Sequence, residues 1–294
     1  ARALREAAVT APCLDPATVD TCGTGGDGAD TFNISTTASF VVAGCGGPVA
    51  KHGNRAATSR SGSIDVLEAL GVHVELDVEV AAKVLAEVGI APFFARTAHP
   101  AFRHVAPVRA ELGVRTLLNC LGPLLSPVGA QYQVVGVYSK DLVEPLAGAL
   151  RELGARRALV VHGDDGMDEL TTTGASQAAL VDCEGTEPGG AGRVESLRIE
   201  PESLGLARAR LEELAGGDPA QNAATTRAIL SGQTGPKRDI VLLNAAAALW
   251  VAGSAPDLES GLSQAAASID EGRAEAKLLA LAEATRRAGE AASA

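Results

Sequence analysis

The chain has 294 residues, 46% of them hydrophobic and only 3% aromatic, and its 36 acidic and 25 basic side chains give a net charge of −11. That length can bury a large aliphatic core without disulfide staples and permits one large domain or two unequal ones. The acidic balance excludes a general nucleic-acid binder, which needs a basic patch or stripe, so an anionic ligand has to be held by local groups. Residues 1–11 predict the end of an amphipathic helix, broken by Pro12 and Pro16. Thr18–Cys22 predicts a short strand that runs directly into Gly23-Thr24-Gly25-Gly26-Asp27-Gly28. Asn33–Cys45 predicts a helix with Ser35 or Thr36 near its start and Gly46-Gly47 behind it. A second strand over Pro48–Ala50 ends in Lys51-His52-Gly53-Asn54-Arg55, and Ser61-Gly62-Ser63 opens a helix over Ile64–Leu70.

Helices and strands continue to alternate. Helices are predicted over Val80–Val88, Leu142–Leu153, Ala207–Ala215, Ala220–Leu230, Asp239–Ala252 and from Leu258 onward. Strands are predicted over Gln131–Tyr138, Ala158–His162, Ala178–Cys183 and Arg193–Ile199. This alternation predicts an α/β fold with a largely parallel central sheet. Residues 97–127 stand apart, being bounded by prolines, helical in pattern and rich in arginine, and read as an insertion or part of a small helical lobe. The five cysteines (Cys13, Cys22, Cys45, Cys120, Cys183) are odd in number and lack C-x-x-C spacing, which predicts neither a disulfide framework nor a zinc site. Scattered thiols suit a reducing cytoplasm. Neither a membrane helix nor a signal peptide is expected.

Four clusters carry chemistry. A strand, a glycine-rich loop and a helix start bring free N–H groups to one point, where glycine lets the backbone approach a phosphate and the helix N-terminus adds partial positive charge. Thr31, Ser35 and Thr36 add hydroxyl donors. Gly23, Gly25 and Gly28 also satisfy G-x-G-x-x-G, but a dinucleotide site wants an acid ending the second strand. Lys51-His52 stands there instead, which suits more phosphate. No G-x-x-x-x-G-K-[ST] is present. The second cluster is Lys51, His52, Asn54, Arg55, Ser59 and Ser63, and two phosphate-suited loops one βα unit apart point to a ligand with two phosphate groups. The third, Asp168-Glu169, follows a strand and suits Mg²⁺ beside such a ligand. The fourth holds Arg103, Arg109 and Arg115, whose spacing keeps them off one helical face; one or two can point into a site and fork onto a carboxylate.

The string Asp20-Thr-Cys-Gly-Thr-Gly-Gly-Asp-Gly…Thr31-Phe-Asn-Ile-Ser-Thr36 resembles the signature of anthranilate phosphoribosyltransferases. So do Lys51-His-Gly-Asn-Arg55, Ser61-Gly-Ser63, Arg109, Arg115-Thr…Asn119…Leu121-Gly-Pro-Leu124, Gly166-Met-Asp-Glu169 and the late helix Asp239–Ala252. The family transfers phosphoribose from 5-phosphoribosyl 1-diphosphate (PRPP) to the amine of anthranilate, releasing diphosphate. The resemblance implies PRPP contacts from Gly23, Gly26, Asp27, Thr31, Asn33, Ile34, Ser35, Thr36, Lys51, His52, Gly53, Asn54, Arg55, Ser59 and Ser63. It implies anthranilate contacts from Gly23, Asn54, Arg109, His52, His99 and Gly122, and Mg²⁺ served by Ser35, Asp168 and Glu169. No general base is implied. The implied fold is that of nucleoside phosphorylases and phosphoribosyltransferases: a small helical domain, here 1–18 and 98–127, beside an α/β domain, here 19–97 and 128–294, in a cytoplasmic homodimer without nucleic-acid or membrane partners. Family members carry several helices ahead of the point where this chain begins, so a shortened N-terminus is expected. The rivals are a pyrimidine nucleoside phosphorylase, opposed by Asn33-Ile-Ser-Thr36 and Asp168-Glu169, and a non-catalytic nucleic-acid-binding relative, opposed by the charge.

Overall fold

Seven strands form one sheet in the order β3-β2-β1-β4-β5-β6-β7 among the residues described by the computed structural model, which are 1–56, 60–105, 108, 111, 116–185 and 192–293. The strands are β1 (Val19–Thr21), β2 (Val49–Gly53), β3 (Ile90–Phe94), β4 (Tyr132–Gly136), β5 (Arg157–Gly163), β6 (Ser176–Asp182) and β7 (Arg193–Ile199). β1 to β5 run parallel, and β6 and β7 add an antiparallel pair at one edge. The chain builds outward from β1 to β2 and β3, then returns to lay β4 on β1's other side. Strand order therefore reverses between β1 and β4, where open α/β sheets hold their ligands beyond the strand C-termini.

Period-two alternation divides the core. Leu159 and Val161 of β5, with Ala178 and Leu180 of β6, enter the larger apolar cluster; Ala158, Val160, Ala179 and Val181 enter the smaller one on the opposite face. The helices Ile34–Gly44 and Pro236–Val251 cover the first face, and Val143–Glu152 covers the second. With both faces covered, β5 reads as a continuous apolar run over Ala158–Val161.

The sequence misses one strand. Pro92 lies within β3 and reads as a break, yet β3 is an edge strand, where a missing N–H costs no ladder bond. The helix expected over 1–11 spans only Arg2–Glu6, after which Val9 N–H donates to Ala98 O and Ala11 N–H to Pro127 O. Ala207–Ala215 is not a helix beyond one 3₁₀ turn, Leu211–Leu214. Its backbone is used elsewhere: Ala209 N–H donates to Thr172 O, while Leu214 O accepts from Phe32 N–H. Tertiary pairing overrides helix propensity there. In the 97–127 region the described helices are short, Ala95–Ala98, Pro100–His104, Leu118–Leu121 and Gly122–Leu124, and Arg109 and Arg115 lie outside the described residues.

The helix Ile34–Gly44, whose first turn faces the switch point, is seated at its far end by close packing. A Cβ on Gly44 would stand 2.2 Å from Ser268 Oγ and 2.8 Å from Ala274 N, and Ser268 Oγ donates to Val41 O at 2.9 Å. Gly44→Ala is therefore expected to overpack this crossing and cost about 1–3 kcal/mol. Urea unfolding at unchanged slope reads the loss, and an unshifted midpoint would show that the helices separate freely.

Candidate active site

Beyond β1 the chain stays on β4: Cys22 N–H donates to Val134 O and Thr24 N–H to Gly136 O, at 3.2 and 2.9 Å. It then turns through Gly25, Gly26 and Gly28, all at positive φ. At two glycines the requirement is close approach. A Cβ on Gly23 would stand 2.5 Å from Asp168 Oδ2, and one on Gly136 would stand 1.5 Å from Asp168 O. The loop's far end is pinned where Gly216 N–H donates to Asp30 O at 2.8 Å and Thr31 bridges Ala215.

Three carboxyl groups meet this loop. Asp168 Oδ2 accepts from Gly25 N–H at 2.7 Å, Asp27 Oδ2 accepts from Asp168 N–H at 3.3 Å, and Glu169 Oε1 accepts from Ser35 N–H at 3.2 Å in the first turn of Ile34–Gly44. Burial, then the charges of Asp27 and Glu169, raise the Asp168 carboxyl well above the usual range; Gly25 N–H opposes this. Burial likewise pushes Glu169 up to about 7 against the pull of Lys51. Lys51, only 4% exposed, donates to Thr21 O and, at 3.3 Å, to Ser35 Oγ. Asp20, fully buried, is pushed by burial up to about 7 and drawn back by Lys51. Asn33 ties the second loop to the first: its Nδ2 donates to Ser61 O, and its Oδ1 accepts from Ser61 Oγ and Asn222 Nδ2.

Beside the loop's base, His52 and His99 are 3% and 4% exposed, with Nε2 atoms 3.2 Å apart and rings edge to face. Burial, His99 and Lys51 push His52 down to about 3, and burial lowers His99. Both are neutral at pH 7. The backbone of Gly122 faces His52 and Phe102 packs edge-on against His99.

The structure thus brings Gly23, Asp27, Ser35, Lys51, Asp168 and Glu169 to one point, with His52, His99 and Gly122 beside it. Thr31 and Asn33 sit where the loop enters the helix, and Gly26 is in the turn itself. Ile34 and Thr36 have buried side chains, leaving the helix's first-turn backbone to face the loop. Gly53 lies against Ser63, where a Cβ would stand 2.1 Å from Ser63 Oγ, and Asn54 is exposed next to them. Arg55 turns away: its guanidinium is held by Glu68, Asp65 and Glu75 and lies over the Phe94 ring. Ser59 and Arg109 lie outside the described residues.

One positioning residue escapes the sequence reading. Asn244, in the otherwise apolar stretch Ile240–Val251 of the helix Pro236–Val251, accepts from Leu170 N–H at 3.1 Å and donates to Leu170 O at 2.8 Å. It clamps the chain just after Glu169. Its signal is a lone amide in an apolar run, since buried polar groups are hydrogen-bonded.

The family described as "Glycosyl transferase family, a/b domain" matches residues 15–275. The chain is 52% identical over 281 residues to the anthranilate phosphoribosyltransferase of Moorella thermoacetica, covering 96% of this chain and 80% of that one. The crystal structure of the anthranilate phosphoribosyltransferase from Thermus thermophilus superposes with a TM-score of 0.89 at 45% identity, covering 97% and 83% of the two chains. The Saccharomyces cerevisiae enzyme in complex with PRPP and Mg superposes at 0.87, with 29% identity and coverage of 97% and 78%.

Two outcomes follow. Because folding raises the Asp168 pKa, the native state binds that proton more tightly than the unfolded chain. The penalty is absent below the ordinary value of 3.8 and grows as pH rises through the native pKa. Asp168→Asn is expected to stabilise the unliganded protein at pH 8 by on the order of 1–2 kcal/mol and not at pH 4. Equal melting shifts at both pH values would remove the repulsion. Asn244→Ala strands the Leu170 N–H and C=O and should cost about 1–3 kcal/mol. It should also raise the KM for PRPP, and kinetics identical to the parent's would deny the clamp.

Proposed function

The chain belongs to the anthranilate phosphoribosyltransferase family, and from this we infer that it transfers the phosphoribosyl group of PRPP to the amine of anthranilate, giving N-(5-phosphoribosyl)anthranilate and diphosphate, a step of tryptophan biosynthesis. The observation that carries the reading is the meeting, at the sheet's switch point, of a glycine-rich N–H loop with Asp27, Asp168 and Glu169, beside two buried histidines. Gly23, Gly26, Asp27, Thr31, Asn33, Ser35, Thr36, Lys51 and Ser63 form the PRPP half. His52, His99, Gly122 and Asn54 form the acceptor half, with Gly23 at the seam. Arg109 is assigned to the anthranilate carboxylate on the family resemblance.

The carboxylates fit Mg²⁺. They are hard oxygen donors, and after burial the charge of Asp27 raises both Asp168 and Glu169, so a divalent cation relieves the repulsion. Ser35, Asp168 and Glu169 would hold it, and when bound it would neutralise charge on the diphosphate.

In the reaction the bond from the anomeric carbon to diphosphate breaks as positive charge spreads over the ribose ring. The amine nitrogen then bonds to that carbon and loses a proton to the departing diphosphate or to water. Loop N–H groups and Lys51 meet the departing negative charge. An aryl amine is already neutral near pH 7, so alignment of the substrates supplies most of the acceleration. The neutral His52 and His99 offer N–H donors and flat walls without adding charge. The resemblance also supports a small helical lobe from 1–18 and 98–127 and a cytoplasmic homodimer. Among the described residues, no helix is long and apolar enough to cross a membrane.

The test is diphosphate release from PRPP and Mg²⁺, with and without anthranilate. Release that needs anthranilate is expected. Activity confined to a nucleoside and inorganic phosphate would overturn the reading. Arg109→Ala should raise the KM for anthranilate and lower kcat/KM while leaving the KM for PRPP unchanged; unaltered anthranilate kinetics would take Arg109 out of the site.

A further inference from the structure

Asp20 and Cys22 stand two residues apart at the end of β1, so both side chains leave the same side of the strand. β2 runs alongside, and Asp20 Oδ1 accepts from His52 N–H at 3.2 Å. One carboxylate oxygen of Asp20, the sulfur of Cys22 and a ring nitrogen of His52 lie within 4.8 Å of one another. Asp20 and His52 are buried, and Asp20 Oδ2 and His52 Nδ1 have no hydrogen-bond partner. Unpartnered buried polar atoms are rare and mark a missing group. Nε2 of His52 meets His99. When that contact carries the His52 proton, Nδ1 keeps its lone pair, the form in which imidazole binds a metal.

We propose that Asp20, Cys22 and His52 bind a divalent cation of the Zn²⁺ class, at a position distinct from the oxygen-lined one at Asp168 and Glu169. Thiolate and imidazole select such an ion, whereas the carboxylate group selects Mg²⁺. Around tetrahedral Zn²⁺, with bonds of about 2.0–2.3 Å, donor atoms stand roughly 3–4 Å apart, so side-chain shifts of about an ångström close the site. Binding replaces the S–H bond of Cys22 with an S–metal bond and releases its proton. Asp20 and the thiolate supply two negative charges to match the ion. Lys51, which compensates Asp20 in the metal-free protein, opposes the ion, and burial pushes the Cys22 thiol up to about 12, so the ion has to displace the thiol proton. C-x-x-C spacing gives no sign of this trio, because the third ligand comes from the neighbouring strand.

The probe is Co²⁺, titrated into the full chain in excess Mg²⁺ to cover the carboxylates. One equivalent is expected to bind with a thiolate-to-cobalt charge-transfer band that Zn²⁺ abolishes. Cys22→Ser should remove the band and weaken binding by more than about tenfold, whereas Cys183→Ser should retain both. Cys22→Ala, checked for native circular dichroism, repeats the test if the serine variant misfolds. A band that survives both Cys22 substitutions, or Co²⁺ binding without any charge-transfer band, overturns the proposal.

Discussion

Asp27, Asp168 and Glu169 are held closer together than three carboxyl groups favour on their own. Backbone does the holding: Gly25 N–H on Asp168, Ser35 N–H on Glu169, and Asp168 N–H on Asp27. Lys51 adds a buried positive charge beside them, and Asn244 fixes the strand exit from which two of the acids project. The result is a pocket poised for positive charge within reach of N–H groups that favour negative charge. A magnesium diphosphate carries both.

This arrangement explains how a chain of net charge −11 can take a highly anionic substrate. The global field repels phosphate, so affinity has to come from groups within a few ångströms, where fixed dipoles are least screened. The switch point supplies that setting: the chain leaves β1 still bonded to β4 through Cys22 and Thr24 and then turns through Gly25, Gly26 and Gly28, which bring backbone N–H groups to the carboxylates.

Much of this was legible in the sequence, for identifiable reasons. Loop residues such as Gly23–Gly28 and Lys51 are specified by local demands of backbone and charge, and those show in a short window. Alternating or continuous apolar runs showed β4 to β7. What stayed hidden depends on the rest of the fold. β3 is disguised by Pro92, which is harmless only at an edge. Ala207–Ala215 has a helical composition, but its backbone is claimed by Thr172 and Phe32. Arg55 reads as a phosphate ligand until Glu68 and Asp65, supplied by the next helix, are placed against it. Asp20 lies 32 residues from His52 in the sequence, and with Cys22 the two become a group only when β1 and β2 pair.

The two halves of the cleft are built to different tolerances. Gly23 and Gly136 leave no room for any side chain against Asp168, and that floor is stitched by main-chain bonds to the sheet. The opposite wall is made of side chains, His99 and Phe102, on short helical turns. Heritable change in substrate preference therefore has one direction in which to proceed. The acceptor wall can be re-carved residue by residue, while side chains are barred from the phosphoribosyl floor at Gly23 and Gly136, so a change of acceptor asks less of this fold than a change of sugar.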